Sequence, residues 1–138
     1  MVDKSQKKKS IFEPEYDEDY YNISFSGDVR RMTYSNDRID KSVINFGNAC
    51  TDKSVMERKS KDMKLWSLLW NFAEENNDEI DWSNFECKKY YIYCGNNHNW
   101  YVDAKSLWKC LTEIYFSSAE LAHRAIDEIV IPYKNGEL

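Results

Sequence analysis

Residues 112–130, T-E-I-Y-F-S-S-A-E-L-A-H-R-A-I-D-E-I-V, constrain the fold most tightly, because they read as a strand running straight into a capped helix. Ile114 and Phe116 alternate with Tyr115, the period of a half-buried strand. Ser117 stands three residues before Glu120, the spacing of a capping box in which each side chain satisfies a backbone N–H of the other residue. Leu121, Ala122, Ala125, Ile126, Ile129 and Val130 follow at helical spacing, which leaves His123, Arg124, Asp127 and Glu128 for water. Pro132 is expected to end that helix.

A rougher copy of this unit stands earlier. Val43 to Cys50 reads as a strand bent at Gly47-Asn48, and Thr51 as the cap of a long helix reaching about Ala73. Met56, Met63, Trp66, Trp70 and Ala73 form its expected buried stripe, widened by Leu65, Leu69 and Phe72. A hairpin precedes each strand: Tyr20–Phe25 with Val29–Tyr34 around Ser26-Gly27-Asp28, and Lys88–Cys94 with Trp100–Asp103 around the Asn-rich loop from Gly95. The order β-β-β-α, twice over, predicts an α+β fold. About six strands form its antiparallel sheet or sheets, with two helices on one face to bury both helical stripes.

At 138 residues and 42% hydrophobic content, the chain supports one domain with a real core, placed at residues 20–131. Residues 1–19 read as a flexible charged tail and 132–138 as a short C-terminal tail. Charge is uneven: residues 1–10 carry +3, and residues 11–21 carry −5 through Glu13, Glu15, Asp17, Glu18 and Asp19. A second acidic run, Glu74, Glu75, Asp78, Glu79, Asp81 and Glu86, follows the long helix. No basic groove is visible, which disfavours direct nucleic-acid binding by the folded body. No apolar run approaches the ~20 residues that span a bilayer, and no signal peptide is visible, so a cytoplasmic protein is expected. Cys50, Cys87, Cys94 and Cys110 form no C-x-x-C pair and read as small core or semi-buried residues.

Candidate chemistry is sparse. Cys94 and His98 lie close in sequence, but no third orienting group accompanies them. His123 falls on a solvated helix face, and Glu79 with Asp81 reads as a pair of turn carboxylates. Neither a metal-ligand set nor a Gly-rich phosphate loop is present, so no cofactor, no metal and no catalysis are expected. Aromatic content of 15% is more informative, since Tyr and Trp dominate binding hot spots. Tyr90, Tyr91, Tyr93, Trp100, Tyr101 and Trp108 put rings on both faces of one sheet region, so an aromatic face flanked by carboxylates is a candidate protein-binding surface. Such rings also suit base stacking, with Arg30, Arg31, Lys88 and Lys89 as candidate phosphate partners.

The runs F-A-E-E-N-N-D-E-I-D-W (Phe72–Trp82), K-K-Y-Y-I-Y (Lys88–Tyr93) and I-Y-F-S-S-A-E-L-A-H-R-A-I-D-E-I (Ile114–Ile129) resemble small accessory proteins of phages and prophages of low-GC Gram-positive and related bacteria. Gly47-Asn48 and the helix from Thr51 match that group in position, whereas the basic stretch S-V-M-E-R-K-S-K-D-M departs from it. The resemblance covers residues 20–130, and its motifs are structural, so it transfers no functional residue. It implies a setting, since anti-CRISPR and other anti-defence proteins arise from that pool.

The resulting expectation is a non-enzymatic inhibitor that binds a host defence protein, such as a CRISPR effector complex, in the host cytoplasm. Its carboxylates would imitate spaced phosphates. The candidate partner-binding residues are Glu13, Glu15, Asp17, Glu18, Asp19, Glu74, Glu75, Asp78, Glu79, Tyr91, Tyr93 and Trp100. A module that sequesters a small nucleotide, a structural phage accessory protein and a small Cys94/His98 enzyme are the alternatives. A homodimer formed through the aromatic face is compatible with each.

Overall fold

The computed structural model describes residues 8–138, so the first seven residues of the expected tail, with Lys7 of its lysine run, lie outside the described residues. The class is α+β, but the sheet differs from expectation: four strands form two separate two-stranded antiparallel sheets. The chain divides into two compact units at Lys64/Leu65, inside a long helix whose two halves belong to different units.

In the first unit, β1 (Asp19–Ile23) and β2 (Val29–Thr33) pair from Asp19↔Thr33 to Ile23↔Val29. The turn closes as expected on Gly27, whose φ of 92° suits a residue without Cβ. The expected strand over 43–50 is instead mostly helix, α1 (Arg38–Asn45). The flanking residues explain the difference. Asp37 accepts a hydrogen bond from the Asp40 N–H at 2.8 Å, completing a capping box at the N-terminus. At the other end Gly47 (φ 77°) donates to Ile44 O and Asn48 to Val43 O, both at 2.9 Å, the paired bonds of a Schellman motif. Two strong caps override the β-propensity of Val43 and Ile44.

Only Cys50 survives from the expected third strand, as a single bridge to Tyr21. At the next ladder position the Asn48 side chain substitutes for backbone, its Oδ1 accepting from Ile23 N–H (2.9 Å) and its Nδ2 donating to Ile23 O (2.8 Å). Helix α2 (Lys53–Asn76) follows, and its Met56 is buried, as are Tyr20, Ala49 and Cys50. Residues 8–18 are hydrogen-bonded to this unit: Thr51 N–H donates to Ile11 O, and Asp17 N–H to Tyr34 O.

The polar anchor of this unit is Asp40, only 2% exposed. Its carboxylate accepts from the Tyr20 hydroxyl at 2.6 Å, from the Ser35 N–H at 2.8 Å and hydroxyl at 3.1 Å, and from the Asp37 N–H at 3.4 Å. Burial pushes the Asp40 carboxyl up, but these donors together outweigh burial and hold it below its ordinary value. Burial, then the bond to Asp40, pushes the Tyr20 phenol well above its usual range.

In the second unit, β3 (Lys89–Cys94) and β4 (Trp100–Lys105) pair from Lys89↔Lys105 to Cys94↔Trp100. The expected strand over 112–116 reduces to one bridge, Tyr90↔Phe116. A second asparagine completes its other edge: Asn77 Nδ2 donates to Tyr115 O (2.8 Å) and Oδ1 accepts from Ser117 N–H (2.9 Å). Ser117 is therefore engaged by the end of α2, its hydroxyl accepting from Asp78 N–H at 3.0 Å. The cap moves one residue on, to Ser118, which accepts from Leu121 N–H at 3.2 Å.

Helix α3 (Ala119–Ala125) continues through a π turn (Ile126–Val130) into α4 (Ile131–Lys134). Pro132 thus lies inside helical structure instead of ending it. Its ring cannot return a hydrogen bond to the preceding turn, and the helix widens just before it.

The core of this unit joins Leu69, Phe72 and Ala73 of α2 with Phe116, Ala122, Ala125 and Val130, and Leu65 and Trp100 pack against it. The α2 stripe is thus Leu65, Leu69, Phe72 and Ala73, at i, i+4, i+7 and i+8. Trp66 and Trp70, expected inside, lie about 100° round the helix and stay 47% and 46% exposed. Lys89 is fully buried, donating to Asn84 O at 2.8 Å and Ser106 O at 3.3 Å. It is therefore a loop clamp and not the phosphate partner expected from sequence.

Three substitutions test these contacts. Tyr20→Phe should cost about 1–3 kcal/mol, seen as a lower denaturant midpoint, and an unchanged midpoint would contradict the role given to the Tyr20–Asp40 pair. Because the folded-state carboxyl is depressed, the Asp40 contribution is present above about pH 4 and lost as pH falls through that depressed value, so Asp40→Asn should flatten the acid limb of stability against pH. Asn77→Ala should cost a similar ~1–3 kcal/mol and raise amide exchange at Ser117. Unchanged protection there would remove the side-chain bridge.

Candidate functional site

The outward Trp66 and Trp70 rings lie 6.5 Å apart, centroid to centroid, at 21° between planes. They form one wall of a cleft of about 440 Å³ within the second unit. Its floor includes the buried Ala73 and Tyr115. Trp82 meets Tyr115 edge-on at 4.7 Å and 77°. The end of α2 and the following loop contribute Glu74, Asn77, Asp78 and Glu79, and the opposite side contributes Lys109, Leu111 and Glu113. Asn77 fixes this geometry, since the same side chain that lines the cleft ties α2 to residues 115 and 117.

Four carboxylates therefore line the cleft against one lysine, Lys109, whose ammonium lies 5.3 Å from the Trp82 ring centre. Glu113 is engaged within the protein, with Lys105 Nζ at 2.6 Å and the Tyr115 hydroxyl donating at 2.9 Å. The hydrogen bond to Glu113 raises the Lys105 ammonium above its ordinary value, and burial raises the Tyr115 phenol. The Tyr115 oxygen also accepts from Cys110 N–H at 2.8 Å, so this network tethers the loop leading to Cys110. Glu74, Asp78 and Glu79 are exposed, with no ion pair among the described residues.

Of the residues expected from sequence, Glu74, Asp78 and Glu79 meet in this cleft; Glu75 is exposed but does not line it. Tyr91 lies 6.4 Å from Tyr115 with Lys105 over its ring, and Tyr93 stacks on Tyr101 at 5.6 Å, both away from the cleft lining. Trp100 packs on the core. The earlier acidic run belongs to the first unit and is partly spent internally. Lys9 lies 2.7 Å from Glu18 and 3.4 Å from Glu15; Asp19 accepts from the Thr33 hydroxyl at 2.9 Å and sits 4.0 Å from Arg31. The bond from Lys9 holds the Glu18 carboxyl below its ordinary value. Glu13 and Asp17 make no ion pair among the described residues, and Asp17 has a positive φ of 65°.

Sequence reasoning missed Trp66, Trp70, Trp82, Lys109, Leu111 and Glu113 as members of this site. The first was legible: Trp66 and Trp70 share one helix face that the better-spaced leucine stripe leaves outside.

Cys94 and His98 share no hydrogen bond; the Cys94 thiol faces Gly95 O at 3.7 Å. Cys50 is buried and Cys87 half-buried as expected, whereas Cys94 and Cys110 are exposed. A hydrogen bond with Thr112 lowers the Cys110 thiol. Among the described residues, no group of three or more His, Cys, Asp or Glu is placed to hold a metal ion, and no helix is long and apolar enough to cross a membrane. Comparisons with protein-family models, curated proteins and solved structures found no match to this chain.

Glu113→Gln should weaken the hold on both Lys105 and Tyr115, so exchange at the Cys110 amide should rise by about tenfold or more. Equal protection in the variant would show that the network does not tether the loop.

Proposed function

We propose that this protein is a non-catalytic binding module that receives a basic, arginine-bearing segment of a partner protein in the acidic tryptophan cleft of residues 65–138. One observation carries the reading: two outward Trp rings stand beside Glu74, Asp78 and Glu79, which make no ion pair among the described residues. A guanidinium fits both features, because it stacks on aromatic faces and forms paired hydrogen bonds with carboxylates. The partner-facing acids are then Glu74, Asp78 and Glu79, since Glu15, Glu18 and Asp19 already face Lys9 and Arg31.

The sequence resemblance supplies the finer proposal. The partner is a host defence protein with a basic nucleic-acid channel, and occupying that channel is how a phage-encoded inhibitor of anti-CRISPR type would act. Carboxylates standing in for phosphates serve that end, and charge complementarity would speed the encounter.

Calorimetric titration with an arginine-rich peptide tests the recognition step. Binding is expected to weaken steeply between 50 and 500 mM salt, roughly as exposed charge pairs are screened. Charge reversal at Glu74, Asp78 and Glu79 should abolish it, while reversal at Glu15 and Glu18 should leave it within about twofold. Binding that survives the first reversal and fails with the second would move the interface to the first unit.

A further inference from the structure

A second cavity, of about 460 Å³, lies where the loop before β4 meets the C-terminal helix, within the second unit. Both histidines of the chain line it, His98 from the loop and His123 from α3, together with Asp127 and Lys134. Trp100, Ile126 and Ile131 supply its apolar wall.

Three independent features coincide there. The Trp100 indole N–H is buried with no acceptor, although buried donors are nearly always paired. His98 holds a positive φ of 63°, a left-handed conformation that a side chain with Cβ adopts at a cost. The π turn is the third. His123, Asp127, Ile131 and Asn135 recur every four residues, which in an unbroken α-helix drifts by about 40° per step. The wider turn at Ile126–Val130 absorbs that drift and keeps the four on the side that faces the cavity.

The donors set the ligand class. Among the described residues, the side chains of His98, His123 and Asp127 hold no hydrogen bond or ion pair, and the Lys134 ammonium only overlies the Trp100 ring at 5.5 Å. One lysine and two imidazoles thus face one carboxylate, in a chain whose net charge is −5. That excess of ammonium and imidazole N–H donors over carboxylates turns the choice to an anion. We infer that this cavity binds a small phosphate monoester carried on an apolar or planar body, of about nucleoside monophosphate size. Lys134 and the imidazole N–H groups meet the phosphate, since imidazole donates in either protonation state. Trp100, Ile126 and Ile131 pack the body, and Asp127 accepts from its hydroxyls.

The test uses the full chain labelled with ¹⁵N and titrated separately with AMP, inorganic phosphate and adenosine. AMP is expected to give saturable shifts at the Trp100 indole N–H and at the amides of Asn99, His123 and Asn135, leaving the Trp66 and Trp70 indoles still. Phosphate alone should bind more weakly at the same signals. Lys134→Gln combined with His123→Gln, both at exposed positions, should weaken AMP by about tenfold or more. No saturable shift with any probe would overturn the inference. So would adenosine binding as tightly as AMP, or AMP binding unchanged in the double variant. Because the Trp66 and Trp70 signals report the other cleft, failure here is separable from failure of the arginine-binding reading.

Discussion

Which face of α2 is buried decides what the second unit can do. Leu65, Leu69, Phe72 and Ala73 fall within one apolar arc and pack against the core. Burying that arc stabilises the unit at about 25 cal/mol per Å² of apolar surface removed from water. Once the leucine side is inside, Trp66 and Trp70 have nowhere to go but out, and the acidic end of the same helix is set beside them. The cleft is a by-product of the core stripe, and its aromatic and acidic characters come from one helix.

Both units share a construction that their sequences only half disclose. Each has a two-stranded hairpin and one bridging residue before a helix, Cys50 ahead of α2 and Phe116 ahead of α3. An asparagine amide in each carries hydrogen bonds that a third strand would otherwise supply, Asn48 at Ile23 and Asn77 at Tyr115 and Ser117. The hairpins were legible because alternation and turn residues are local signals. The third strands were misread because Val43-Ile44 and Ile114–Phe116 have strand composition, while the deciding contacts are long-range. Nothing local marks Asn77 as the partner of residues 115 and 117. The α1 caps were legible in principle, since Asp37, Asp40 and Gly47 stand at the spacings of a capped helix.

The candidate site divides along the same line. Its acidic members were visible as a charge run, and charge runs are usually solvated faces; three-dimensional placement beside Trp66, Trp70 and Trp82 gives Glu74, Asp78 and Glu79 a specific surroundings. The aromatic strand residues were expected on both faces of one sheet region, with Tyr91, Tyr93 and Trp100 as partner contacts, yet Tyr93 stacks on Tyr101 while Trp100 lines a different cavity with the two histidines. A sequence gives the residue types that a binding surface uses. Helix phase and side-chain bridges decide which of them meet.

The most direct measurement follows the five indole N–H signals of the ¹⁵N-labelled chain as an arginine-rich peptide is added. If the outward face of α2 is the receiving surface, the Trp66, Trp70 and Trp82 signals shift together and saturate, while Trp100 stays in place. Saturable binding that leaves Trp66 and Trp70 unmoved would contradict it.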